Sequence, residues 1–140
     1  MNHPYAEVYL SEIAETQGRM FEKMQDDFPT TDGVAFVKSY MNSTTREHLD
    51  SGDAYLANLS ATELRNYFLT QDKQVMQNGR PLYGFMPNWI GQFYAQYQWE
   101  RNISSKEAVR EVPVEWLANA YYGLHDLDLK LAVEKVSHLK

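Results

Sequence analysis

Four histidines and the carboxylates near them are the residues whose spacing admits acid–base chemistry. His125 stands between Leu124 and Asp126, with Asp128 close behind. A carboxylate can fix the tautomer of a neutral imidazole and make it a proton carrier, so His125 with Asp126 or Asp128 is a candidate pair for a small hydrolase or transferase. His48 with Asp50 is a second candidate, in the run Arg46-Glu47-His48-Leu49-Asp50, where Glu47 and Asp53 can join a metal or acid–base cluster. Each pair also has a plainer reading. His48 near a helix C-terminus complements the dipole while Arg46 pairs locally, and His125 joins two helices through hydrogen bonds. His3 and His138, near the chain ends, are assigned no role.

The patterns that usually mark an enzyme are missing. There is no glycine-rich phosphate loop, no His-Glu-x-x-His, no calcium loop and no nucleophile elbow. The chain has no cysteine, which removes thiol chemistry and cysteine-based zinc sites. No metal and no cofactor is expected. The balance favours a binding protein over a catalyst.

The aromatic residues suggest where binding would occur. From Pro81 to Trp99 nineteen residues carry no charge, and seven of them are aromatic. Trp89, Phe93 and Tyr97, with Ile90 and Tyr94 beside them, form one apolar stripe at helical spacing. Trp99 and Ala95 fall on the opposite face, which makes Trp99 a candidate contact for a protein partner or for a second copy in a homodimer. Asn88, Gln92, Gln96 and Gln98 interrupt the run, so it does not read as a membrane span.

Charge points the same way. The net charge of −6 lies in the first half, where residues 1–70 carry eleven acids against five bases. Glu12 and Glu15 belong to this excess and are candidate contacts for a basic protein partner. Binding to nucleic acid is disfavoured. Residues 104–124 resemble a helix-turn-helix in spacing, but the second helix offers Glu115 and Asn119 where a recognition helix presents basic side chains.

These residues must be positioned by helices. Pro4 suits the first turn of a helix reaching about Asp26, closed by Pro29 and the Thr30-Thr31-Asp32-Gly33 run. Asp32 or Thr31 caps a helix to about Met41, and Ser43 or Thr44 caps a short one to about Asp50. Ser60-Ala61-Thr62-Glu63 and Ser104-Ser105-Lys106-Glu107 are capping boxes, in which serine and glutamate satisfy each other's orphan backbone donors. The aromatic helix begins at Asn88, another follows Pro113, and the last starts near Asp126 or Asp128 with Lys130, Lys135 and Lys140 toward its end. The Asn, Ser and Thr residues of the glycosylation-type triplets at Asn42, Asn58 and Asn102 read instead as turn and helix-cap residues. Asn78-Gly79 allows a small β-hairpin near residues 75–83, although Pro81 weakens it. The expectation is an all-α fold, a compact orthogonal or irregular bundle of about seven helices in a single domain over 1–140. No basic segment followed by an apolar run stands near Met1, so a cytoplasmic protein is expected.

Three stretches carry a resemblance. Trp89-Ile90-Gly91-Gln92-Phe93-Tyr94, then Asn102-Ile103-Ser104-Ser105-Lys106-Glu107, then Tyr121-Tyr122-Gly123-Leu124-His125, resemble in order small uncharacterised helical proteins of Gram-positive bacteria encoded in toxin-antitoxin style gene pairs. Ser43 to Asp50 and Leu59 to Leu64 are similar to a further segment of that group. The resemblance implies a non-enzymatic, antitoxin-like partner-binding protein and carries over no functional residue.

Overall fold

The computed structural model describes residues 5–139. Pro4, expected to start the first helix, lies outside them, as do His3 and Lys140. Among the described residues there are nine helices: α1 (Glu7–Asp27), α2 (Gly33–Met41), α3 (Thr44–Asp50), α4 (Ala54–Ala57), α5 (Ala61–Gln71), α6 (Met86–Arg101), α7 (Ser105–Glu111), α8 (Val114–Leu124) and α9 (Leu129–Leu139). The all-α class holds. The helix number is higher than the seven or so expected, in part because α4, a single turn capped by Asp53, is too short to show periodicity. The hairpin is not formed. Asn78 makes an isolated antiparallel bridge with Thr31 instead, and Asp32 and Gly33 donate their N–H groups to the carbonyls of Gln77 and Arg80. The Asn78-Gly79 turn therefore pins the loop between α1 and α2 rather than folding back on Pro81, which has no N–H to offer a ladder.

Helix junctions follow local chemistry. Both capping boxes form, at Ser60 with Glu63 and at Ser104 with Glu107. The bond each glutamate accepts from its serine's backbone N–H lowers its carboxyl pKa. Asn42, Asn58 and Asn102 each follow the last residue of a helix, and Ser43, Ser60 and Ser104 each cap the next. Asn102 takes the left-handed conformation, φ 55°, that a helix end favours in asparagine. Asp72, just beyond α5, accepts bonds from the backbone N–H groups of Thr44 and Thr45 at 2.9 and 3.3 Å, fixing the end of α5 to the start of α3.

The centre of the molecule is the pair α1 and α6. Helix α6 starts two residues earlier than expected, with Pro87 in its first turn, where a missing N–H leaves no helical bond unmade. It is buried nearly all round: Ile90, Phe93, Tyr94, Ala95 and Tyr97 are wholly inaccessible. Its α1-facing side is made of small and polar residues. A Cβ on Gly91 would lie 2.6 Å from the Cα of Gly18, and one on Gly18 would lie 2.7 Å from the Asn88 carbonyl oxygen. The two backbones meet at these glycines, and the Gln17 side chain donates to the Gly91 carbonyl at 2.7 Å across the crossing. One turn further along α1, Phe21 joins Phe36, Tyr40 and Phe68 in a ring of four edge-to-face contacts, with centroids 5.2–6.2 Å apart, that links α1, α2 and α5. Each such contact is worth about 0.5–1.5 kcal/mol beyond the area it buries.

The glycine crossing yields an opposed pair of expectations. Gly91→Ala should destabilise by about 1–3 kcal/mol, because the clash is with backbone. Gly123→Ala, in α8 with open space around it, should stabilise by about 0.5–1 kcal/mol. Denaturant midpoints measure both, and equal effects would contradict the close crossing.

Candidate functional site

The most elaborate polar arrangement surrounds Arg46, in the first turn of α3 and only 1 % exposed. Ser43 caps that helix, and Leu49 on the same short helix is buried with Arg46, so the guanidinium is carried inward. Its Nε donates to Gln17 Oε1 at 3.0 Å, one terminal nitrogen to Asp50 at 2.6 Å and the other to Gln98 Oε1 at 2.8 Å. Asp50 also accepts from Gln98 Nε2 at 2.6 Å and from the Ser105 backbone N–H at 3.2 Å. One charge pair thus ties together α1, α3, α6 and the start of α7. Burial pulls the Arg46 pKa down, but Asp50 and the nearby hydroxyls of Tyr40 and Tyr5 outweigh it, and the net direction is up. The guanidinium stays charged. Every carboxylate and amide in this cluster is engaged, which makes it a device for holding helices rather than for acting on a substrate.

The cluster decides the fate of the His48–Asp50 pair. Asp50 faces Arg46, Gln98 and Ser105, while His48 stands on the exposed side of α3. Residues two apart on a helix point in different directions, so the structure does not bring the two together. The Arg46–Asp50 spacing of four was readable in the sequence; Gln17 and Gln98, which complete the site, were not, since nothing local marks them.

The other pair does meet. His125 Nε2 lies 3.3 Å from Asp126, Nδ1 lies 2.9 Å from the Tyr121 carbonyl, and the imidazole stacks on the Tyr121 ring at 4.5 Å. Asp126 is 88 % exposed, and the pair lines none of the grooves described below. The contacts of the imidazole are thus with Asp126 and Tyr121, while the Asp128 carbonyl accepts the Ala132 N–H at the start of α9. Among the described residues no group of three or more histidine, aspartate or glutamate side chains is placed to hold a metal ion.

Trp99 is half-buried, and its indole N–H donates to the Tyr5 carbonyl at 2.8 Å. This chain therefore covers part of the residue expected to meet a partner. Glu12 and Glu15 are exposed; Glu15 pairs with Arg19 at 2.8 Å, and both acids line a crease of about 270 Å³ between α1 and the start of α5, with Arg19 and Lys23 at its other end. A larger open groove of about 760 Å³ lies between α2, the ends of α3 and α5, and α8. Its carboxylates are already engaged: Asp32 caps α2, Asp72 caps α3, and Glu115 pairs with Lys38 at 3.2 Å. No helix among the described residues is long and apolar enough to cross a membrane. No family model matches the chain, and no curated protein and no solved structure matches it.

Two measurements test the role of this polar interior. Arg46→Met should destabilise by about 3–5 kcal/mol by stranding Asp50, and Arg46→Met with Asp50→Leu should recover part of the loss; a double-mutant cycle with no coupling would contradict the network. Tyrosines give the second. Burial, then the bond to Glu111, pushes the Tyr97 hydroxyl up to about 12, and burial pushes Tyr94 well above its ordinary value of 10.0. Phenols held neutral in the fold stabilise it below pH 10.0, and that stability is lost as pH rises toward 12. Alkaline titration should show tyrosinate absorbance rising together with loss of helical circular dichroism.

Proposed function

We propose that this chain is a non-enzymatic helical module of the cytoplasm that binds a basic protein partner, with the first half of α1 in the contact. The observation that carries this reading is how its charges are used. Arg46 and Asp50 inside, and Asp32, Asp72, Glu63 and Glu107 at helix ends, are committed to holding the fold. Glu12 and Glu15 instead stand exposed along a crease, Glu15 in a surface pair with Arg19, in the half of the chain that holds the net charge of −6. Exposed charges of this kind act mainly through long-range steering of the encounter. The resemblance to helical proteins of Gram-positive toxin-antitoxin style gene pairs supports a specific form of the reading, in which this chain covers a cognate toxin.

The test is co-expression with the product of the adjacent gene, followed by co-purification and stopped-flow association. Glu12→Lys with Glu15→Lys should slow association several-fold at low salt and little at high salt. A salt-independent rate would remove the steering role. Turnover of a generic ester or phosphoester, abolished by His125→Ala, would replace the module reading with the hydrolase one.

A further inference from the structure

The chain ahead of the core approaches the Trp99 end of α6 in a way that does not match the rest of α1. The N-cap position of α1 is Ala6, which has no side chain to cap with, so the orphan donors of the first turn lack the satisfaction that the serine and aspartate caps of α2 to α5 and of α7 supply. The first turn is also without packing support: Val8 and Tyr9 are 77 % and 57 % exposed, and the inward-facing residues begin only at Leu10 and Ala14. Tyr5 nevertheless reaches back across the fold. Its carbonyl accepts the Trp99 indole N–H, and its phenol enters the surroundings of Arg46. There the hydroxyl is buried without a well-formed hydrogen bond, so it has given up water and received little in return.

We propose that residues 5–9 form a displaceable strap, a segment closed over the Trp99 face of α6 that opens while the rest of α1 stays folded. Three independent features favour opening: an uncapped helix start, apolar side chains already in solvent, and a buried hydroxyl that regains hydrogen bonds when released. Opposing it are the bond from Trp99 to the Tyr5 carbonyl, burial of the Tyr5 ring and the interaction of its phenol with Arg46. The hinge lies at the Tyr9–Leu10 step, where exposure falls from 57 % to 7 %. The proposal stands on the packing alone and does not require the partner-binding reading. Where that reading holds, opening the strap gives a partner access to Trp99, and the closed strap competes with it.

Hydrogen–deuterium exchange on the full chain tests the idea directly. Amides of Leu10 to Ile13, whose helical acceptors are the carbonyls of residues 6–9, should exchange at least about tenfold faster than those of Ala14 to Met24, which open only with the core. Tyr5→Ala should widen that gap and move the Trp99 indole N–H resonance toward its solvent position, identified by its loss in Trp99→Phe, while the melting temperature changes by no more than about 2 °C. Equal protection across Leu10 to Met24 would overturn the proposal. So would a fall in melting temperature on Tyr5→Ala as large as a core substitution produces, since the segment would then be part of the cooperative fold.

Discussion

The architecture depends on how closely α1 and α6 approach at Gly18 and Gly91. Two helices normally stand apart by the thickness of their side chains; here neither has a Cβ at the crossing, and the backbones themselves meet. That contact brings the Gln17 amide within reach of the Gly91 carbonyl, an acceptor already used inside its own helix. It also sets the depth at which α6 lies, and with it the burial of Trp89, Phe93 and Tyr97 against the later helices. The remaining helices pack around this pair, so the spacing of the crossing propagates into the whole core.

A second constraint is layered on the first. The glycine crossing places Gln17 and Gln98 on either side of Arg46, and Asp50 closes the cluster. A buried ion pair contributes little net stability, because desolvation offsets most of its attraction. Its geometric demand is strict, since displacing α1, α3, α6 or α7 strands a charge or an amide. The apolar core supplies the driving force, and the Arg46 cluster restricts which arrangement of helices that force can select.

This use of polar groups bears on function. Buried and helix-end polar side chains are mostly consumed by the fold, and the His125–Asp126 contact stands on the surface. The displayed chemistry lies along α1: acids at the crease and, at its N-terminal end, apolar side chains in solvent beside a strap laid over Trp99. On the proposed reading these features serve recognition, where surface charge and a removable cover govern encounter and access; bond chemistry would instead need converging groups in a sheltered cleft.

Local physics settled much of the fold before any coordinates. Capping boxes, Pro and Gly breakers and the periodicity of Leu, Val and aromatic residues locate most helices to within a few residues, because those signals act within one turn. The single-turn α4 escaped, being shorter than the period that reveals a helix, and the Asn78-Gly79 turn was assigned to the wrong partner because bridge pairing with Thr31 spans 47 positions of sequence. For the candidate sites, the sequence determined that no familiar catalytic constellation was present and that His125 could meet Asp126, its immediate neighbour. Only the tertiary structure decided that Asp50 belongs to Arg46 rather than His48, that Gly91 meets Gly18 backbone to backbone, and that Trp99 lies under Tyr5. Each of those outcomes joins residues far apart in the chain, and long-range pairing follows from packing of the complete set of helices, which no single segment encodes.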